Sequence, residues 1–245
     1  MMLTGTRSIN VNTQSCEPLY VAVSDEAVTL TVEENANATV ILQSTFSSNV
    51  ESADFRVVLH QNASLCLYFC LAQAIMDRLT IELNLQGTGA HAQIRGIVAL
   101  HNHESITIKT VQKHTVPNTQ SQVVVKALLS DYAQSRYEGL ISVDKTAHNT
   151  HAAQQNKNIV LSDYARAYAR PSLEVETNEV KCSHGSATGP LDKNQLLYLI
   201  SRGVAKKQAE HLLIRAFITD VLSGLPFALQ EEMLQTILDK IERDE

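Results

Sequence analysis

Strand-like alternation fills the first three quarters of this chain, but the turns that usually join antiparallel strands are missing. Gly5 is the only glycine before Gly87, and no Asn-Gly, Asp-Gly or Gly-Gly pair occurs. Tight hairpins depend on such pairs because their central residues take positive φ. The alternation itself is plain. Leu79, Ile81, Leu83 and Leu85 fall on one face, with Thr80, Glu82 and Asn84 on the other, the period of a half-buried strand. Val28, Leu30 and Val32 repeat it, and so do Phe55, Val57 and Leu59. Leu65 to Leu71 carries apolar groups on both faces, as a strand covered on both sides would. Further extended runs lie near residues 94–100, 106–111, 123–129, 140–143, 159–161 and 173–175.

The breaks between these runs are rich in Asn: Glu34-Asn35-Ala36-Asn37, Ser47-Ser48-Asn49, Gln61-Asn62 and His101-Asn102-His103. Asn tolerates positive φ and forms Asx turns, so it bends a chain without glycine. Many short strands, few hairpin turns and no helices between strands fit a solenoid of stacked coils. No exact repeat is visible, and a β-sandwich accounts for the same pattern. The residue pattern alone leaves the two open.

The period changes after Pro190. Leu196, Leu197, Leu199 and Ile200 form a helical stripe, with Asp192 at its start and Gly203 at its stop, a capping pattern typical of helices. A second helix spans about Lys206 to Leu222, with Ala209, Leu212, Leu213, Ala216 and Phe217 expected on its buried face. Gly224 ends it. Pro226 then suits a helix start, and Leu229, Met233, Leu234, Ile237 and Ile241 stripe a third helix. A β-core over residues 1–188 followed by a helical domain over 189–245 is the division expected. Exposed solenoid ends invite edge-to-edge pairing, so the helices are expected to cap such an end or to dock a partner.

Composition narrows the function. A 245-residue chain that is 44% hydrophobic can bury a large core. Its net charge of −6 leaves no basic surplus to neutralise phosphates, so nucleic acid is not an expected partner. The longest apolar stretch, Leu65 to Met76, has 12 residues, short of the ~20 that a membrane-spanning helix needs. The first residues lack the basic and apolar regions of a signal peptide. Cys16, Cys66, Cys70 and Cys182 sit in a chain too long to need a disulfide scaffold, and read as reduced thiols. A soluble cytoplasmic protein is the expectation.

Few residues suggest chemistry. Val180-Lys-Cys-Ser-His184 puts Val180, Cys182 and His184 on one side of an extended strand. Thiolate and imidazole together suit zinc, copper or iron–sulfur chemistry, but two ligands do not close a site, so others must come from elsewhere, another chain included. The plain alternative is a packed Cys and a solvated surface His. His101 and His103, and His148 and His151, read as solvated turn histidines. Cys66 and Cys70 read as small hydrophobes within an apolar strand. Cys182 and His184 lack the third, orienting residue of a nucleophilic enzyme. Gly185-Ser-Ala-Thr-Gly189 lacks the Gly-Lys ending of a phosphate-binding loop, and no GxGxxG occurs.

A set of segments then becomes specific: His114-Thr-Val-Pro-Asn-Thr-Gln-Ser121, Gly139-Leu-Ile-Ser-Val143, Gln154-Gln-Asn-Lys-Asn158 with Leu161-Ser162, Pro171-Ser-Leu-Glu-Val175, Val180-Lys-Cys-Ser-His-Gly185, Gly189 with Leu191-Asp192, and Leu199-Ile-Ser-Arg-Gly203. In this order they closely resemble the SufB/SufD family of iron–sulfur cluster assembly proteins, and Cys-Ser-His-Gly resembles the SufD branch. The match covers roughly Gly87 to Leu222; before Gly87 only the strand pattern is compatible. The resemblance implies a right-handed parallel β-helix followed by a C-terminal helical domain. It implies pairing with a SufB-like paralogue through the β-helix and with a SufC-like ABC ATPase through the C-terminal helices. It also implies a non-catalytic subunit, with a nascent iron–sulfur cluster formed transiently at the partner interface and no cofactor held stably by this chain alone. His184 is then the residue carried to the cluster-assembly interface and the candidate metal ligand, with Cys182 beside it. Two departures stand out: the chain begins almost at the strands, where family members commonly carry a helical region, and Ser186-Ala-Thr-Gly189 shifts the small residues that follow His-Gly. The other expectation the residues allow is a stand-alone β-helix protein, either a carbohydrate-active enzyme or a homo-oligomeric binding module, and strand edges permit a homodimer in isolation.

Overall fold

A computed structural model describes residues 2–3, 8–13, 17–22, 26–43, 50–72 and 76–242. Cys16 and the Ser47-Ser48-Asn49 turn lie outside the described residues. The early strands are β1 (Met2–Leu3), β2 (Ser8–Val11), β3 (Leu19–Ala22), β4 (Val28–Val32), β5 (Asn37–Gln43), β6 (Val50–Leu59) and β7 (Ser64–Leu71). They continue as β8 (Met76–Leu85), β9 (His91–Leu100), β10 (Ser105–His114), β11 (Gln120–Leu129) and β12 (Gln134–Val143). The last are β13 (Thr150–Val160), β14 (Arg166–Val175) and β15 (Val180–Gly189), followed by α1 (Lys193–Ser201), α2 (Lys206–Leu222) and α3 (Phe227–Glu242).

Odd-numbered strands form one sheet in the order β1-β3-β5-β7-β9-β11-β13-β15, and even-numbered strands form the other. Every pairing is parallel. The chain therefore alternates between two sheets, adding two strands per coil, and the β-sandwich alternative falls away. A parallel β-helix with three C-terminal helices is the fold. The missing hairpin turns have their explanation here: parallel neighbours are never joined by a tight turn.

The corners are turned by Asn. Asn35, Asn62, Asn102, Asn118 and Asn149 all have φ between 52° and 59°, and Asp131 has 51°. Asn62 donates to Asn35 (Nδ2 to Oδ1, 3.1 Å), and Asn149 donates to Asn118 (2.8 Å), so successive coils are also linked at their corners. Replacing Asn62 with Val, whose branched Cβ resists left-handed backbone, is expected to cost about 1–2 kcal/mol; Asn62→Gly should cost less, as read from urea midpoints.

Between the sheets lies the main core, from Val21 and Leu30 through Leu67, Phe69, Ile81 and Ile94 to Leu129 and Tyr137. Its character changes along the axis. Leu83 and Leu85 of β8 are followed in register by Gln112 and His114 of β10. Val123, Val125 and Ala127 of β11 are followed by Gln154, Asn156 and Asn158 of β13. These polar side chains are buried and bond one another: Thr110 with Tyr137 (2.8 Å), Asn158 with Asn156 (2.7 Å), and Ser121 with both Gln112 and His114 (2.7 Å each). Low dielectric strengthens the bonds of such a network, although among the described residues Gln112 Nε2 is left buried without a hydrogen-bond partner. Cys66, Tyr68 and Cys70 point away from this interior into a second core beneath the helices, with the two thiols packed as small hydrophobes. Burial pushes the Cys70 thiol up to about 12.

The helices do not cap the solenoid. α2 and α3 lie on the outer face of the odd-numbered sheet, where Ile214, Ile218, Val221, Leu222, Leu234 and Ile237 pack on Ile41, Tyr68, Ile97 and Leu128. The buried stripe of α2 is thus rotated from the expected one. Ala209 is buried, but Leu212 is 49% exposed and Ala216 is exposed. The α2 C-terminus carries no basic residue of its own in its last turn. The sheet supplies the donors: Arg95 donates to Asp220 O (3.0 Å) and Ser223 Oγ (2.9 Å), and Tyr68 OH donates to Ser223 O (2.9 Å). The buried Lys126 ammonium reaches Phe217 O and Asp220 Oδ1, 2.5 Å each. Cations and donors at the negative end of a helix dipole are stabilising. α1 is capped by Asp192, which accepts from the Asn194 and Gln195 amides (2.8 and 3.2 Å), as its position predicts.

Candidate functional site

Among the described residues the two sheets end on β14 and β15, with no further coil stacked on them. Residues at core positions are therefore open to solvent there. Ile141 and Val143 of β12 are 0% and 1% exposed, while their register partners Leu173 and Val175 are 38% and 40% exposed. Among the described residues, one edge of each terminal strand also has no strand beside it.

β15 carries the candidate residues. Cys182 pairs in register with Ala152, His184 with Gln154, Ser186 with Asn156, and Thr188 with Asn158. Cys182 is half-buried against Val143, Ala147 and Ala152 at the end of the core. Burial pushes its thiol upward, partly offset by a hydrogen bond with the Ala152 backbone, so at neutral pH it is a thiol rather than a thiolate. His184 is exposed and lies in register with the buried Gln154. Gln154 is itself fixed, donating to Ser172 O (3.2 Å) and Gly139 O (3.4 Å). Asn158 donates to Thr188 (3.0 Å). The open end thus presents an accessible imidazole and a half-covered thiol on a floor of buried amides.

Among the described residues no three His, Cys, Asp or Glu side chains come together as a metal site. What this chain offers a metal at the open end is one imidazole with a thiol two residues away, and a closed site needs ligands from outside it. The other histidine pairs go separate ways. His103 stacks on Tyr132, which stacks on Tyr164 (4.8 Å between each pair of centroids), an exposed ladder running toward the open end. His101 Nδ1 accepts from Asn102 Nδ2 (2.8 Å), and His148 meets Thr177 (3.1 Å). His151 lies on the outer face of β13. The polar floor beneath His184 was not expected from the sequence. Its only signal there is the run Gln154-Gln-Asn-Lys-Asn158 at strand spacing.

No helix among the described residues is long and apolar enough to cross a membrane. Comparison with known proteins adds a family. Residues 10–217 match the model of the SufBD core domain of the SUF system for iron–sulfur cluster assembly. A SufBD family iron–sulfur cluster assembly protein of Synechocystis is 37% identical over 165 residues, 67% of this chain and 36% of its own. Iron–sulfur cluster assembly protein SufD of Escherichia coli is 28% identical over 173 residues, 71% of this chain and 40% of its own. SufD of Bacillus subtilis is 27% identical over 157 residues, 64% and 36% respectively. The matched region thus spans about two fifths of these relatives' length. With a β-helix that ends on a Cys-Ser-His strand and a family match over most of its residues, the chain belongs to the SufBD family of iron–sulfur cluster assembly proteins.

Proposed function

We propose that this chain is a SufD-like, non-catalytic subunit of a cytoplasmic iron–sulfur cluster assembly scaffold, with its open end abutting the solenoid of a SufB-like paralogue. The observation that carries the reading is the exposed His184 on the terminal strand, among core positions that no further coil covers. Unpaired strand edges are ready templates for a partner's strands, and the half-exposed Leu173 and Val175 gain from being covered. The nascent cluster is cargo formed at that junction. His184 supplies one neutral imidazole to iron, as His does where it replaces Cys in clusters, and the partner supplies the thiolates. Cys182, held protonated by its surroundings, is a secondary contributor.

The helical domain, 189–245, takes the SufC-like ATPase. Leu197, Tyr198 and Leu212 are 63%, 58% and 49% exposed on the side of α1 and α2 away from the sheet core, an apolar area suited to a protein partner. ATP-driven movement of that subunit alters the junction only through contacts that differ between its two states.

Co-expression with SufB- and SufC-like partners, followed by size-exclusion chromatography under reducing conditions, is expected to give a single complex. His184→Ala should preserve that complex and remove most of its iron and acid-labile sulfide. Separate elution of the subunits would sink the pairing. Unchanged iron and sulfide in an intact mutant complex would sink the role of His184 alone.

A further inference from the structure

The molecule is acidic overall, with a net charge of −6, yet the carboxylates of its strands all lie in one sheet. None of the eight odd-numbered strands contains an Asp or Glu. They carry Arg95, Lys126, Lys157 and Lys181, with His91, His151 and His184. The even-numbered sheet holds Glu51, Asp54, Asp77, Glu82, Glu138 and Glu174, mixed with seven Lys and Arg side chains.

At the N-terminal ends of β9, β11, β13 and β15, register brings outward side chains into a column. His91 pairs with Gln120, Gln120 with His151, and His151 with Lys181. Neighbouring strands lie ~4.8 Å apart, so one small ligand can touch two or three members at once. Beside the column, Gln122 and Ser183, with Ser121, Ala152 and Ala153, complete the lining of a shallow groove of about 230 Å³. That is smaller than the ~300–1,000 Å³ typical of organic-ligand sites. The side chains of His91, Gln120, Gln122, His151 and Lys181 make no hydrogen bond or ion pair with protein groups among the described residues. Two other cations of this face are already engaged: Lys126 holds Asp220, and Arg95 holds Gln93 and the α2 C-terminus. Strand alternation puts Lys181 and Ser183 on the opposite side of β15 from Cys182 and His184, so the groove is separate from the open end.

We propose that this groove is a binding site for a small phosphate-class oxyanion, held by Lys181 and the two imidazoles with the Gln120 and Gln122 amides as further donors. Charge-assisted hydrogen bonds from fixed donors are the strongest available to such an ion, and a sheet that excludes carboxylates from its own strands removes the competing acceptors. The size of the groove favours the ion itself, or the terminal phosphoryl group of a larger molecule lying over its open side.

The test uses the full chain at pH 7 and constant ionic strength, with inorganic phosphate and methyl phosphate as probes. The imidazole Cε1 proton signals, assigned through His91→Gln and His151→Gln, are followed by NMR. Both signals should shift along one saturable curve, with a dissociation constant on the order of 1 mM. Lys181→Gln should weaken binding at least about fivefold, the loss expected for one charged contact, whereas Lys157→Gln, six residues along the strand from His151, should leave it within about twofold. Binding of methyl phosphate with equal affinity identifies the phosphoryl group of a monoester as an acceptable ligand; binding of inorganic phosphate alone restricts the site to the free ion. Shifts reproduced by chloride, or unaltered by both Lys181→Gln and His151→Gln, would overturn the site. Melting temperatures confirm that each variant is folded, and because His151 and Lys181 lie on different strands the two variants are independent checks. None of these readouts depends on cluster assembly, so the site and the scaffold role stand or fall separately.

Discussion

Gly96→Ala is expected to destabilise the protein by about 3 kcal/mol, the upper part of the range for overpacked cores. A Cβ at position 96 would lie 1.9 Å from Phe69 Cζ and 2.4 Å from both Cε atoms. Phe69 and Gly96 are register partners on β7 and β9, so the ring of one coil lies across the bare backbone of the next. The ring cannot swing away, because Phe69 is 1% exposed and enclosed by the main core. The glycine is thus a packing requirement, not a turn. Phe69→Leu made together with Gly96→Ala should recover much of the loss, a non-additivity expected of touching residues. Urea unfolding followed by circular dichroism measures all three variants. A Gly96→Ala protein within about 0.5 kcal/mol of the parent would contradict this packing.

The second large effect is a pH dependence centred on His114. Its ring is fully enclosed, with Nδ1 2.7 Å from Thr119 Oγ1 and Nε2 2.7 Å from Ser121 Oγ. Ser121 gives its hydroxyl proton to Gln112 Oε1 (2.7 Å), so Nε2 must carry hydrogen and donate to Ser121. Nδ1 then accepts from Thr119, and the ring is neutral. Burial holds its pKa down to about 4, against ~6.5 in the unfolded chain. Between these values the unfolded chain binds the extra proton, so stability rises with pH there. The contribution is complete above about pH 6.5 and is lost as pH falls toward 4, about 2.5 kcal/mol of it by pH 4.5. Burial lowers His91 as well, so the informative quantity is the stability gap between the parent and His114→Asn. That gap should narrow by about 2.5 kcal/mol between pH 7.5 and pH 4.5. A gap that stays constant would mean that the native ring is not held neutral.

Where side chains facing the interior are aliphatic, the sequence displays the strands directly. β4 was expected at its full length, and β8 from Leu79 onward. Where the interior turns polar, alternation vanishes. The inward residues of β13 are Thr150, Ala152, Gln154, Asn156 and Asn158, so only its last two residues read as strand. β5 was missed altogether because Ile41 between Val40 and Leu42 faces the second core. That second core also explains the rotated face of α2: which side of a helix is buried depends on the sheet it meets, and α2 meets Ile97 and Leu128, not solvent. The side of β15 that His184 occupies followed from strand geometry. Its exposure did not, because that depends on whether another coil is stacked above it. The groove donors were equally hidden. His91, Gln120, His151 and Lys181 are spaced 29, 31 and 30 residues apart, a coil-length interval at which the residue types differ and no repeat shows.

The docking of α2 bears on how the molecule comes apart. Tyr68, Arg95 and Lys126 reach its C-terminal end from β7, β9 and β11, three strands that belong to three successive turns of the winding. Detaching the helix breaks bonds in all three at once, and peeling any one of those turns strips the helix of a donor. Helix and sheet should therefore melt as a single foldon, with slow amide exchange in α2 matching that of the strands beneath it. A load arriving on the helices would be spread along the stack rather than concentrated at one strand.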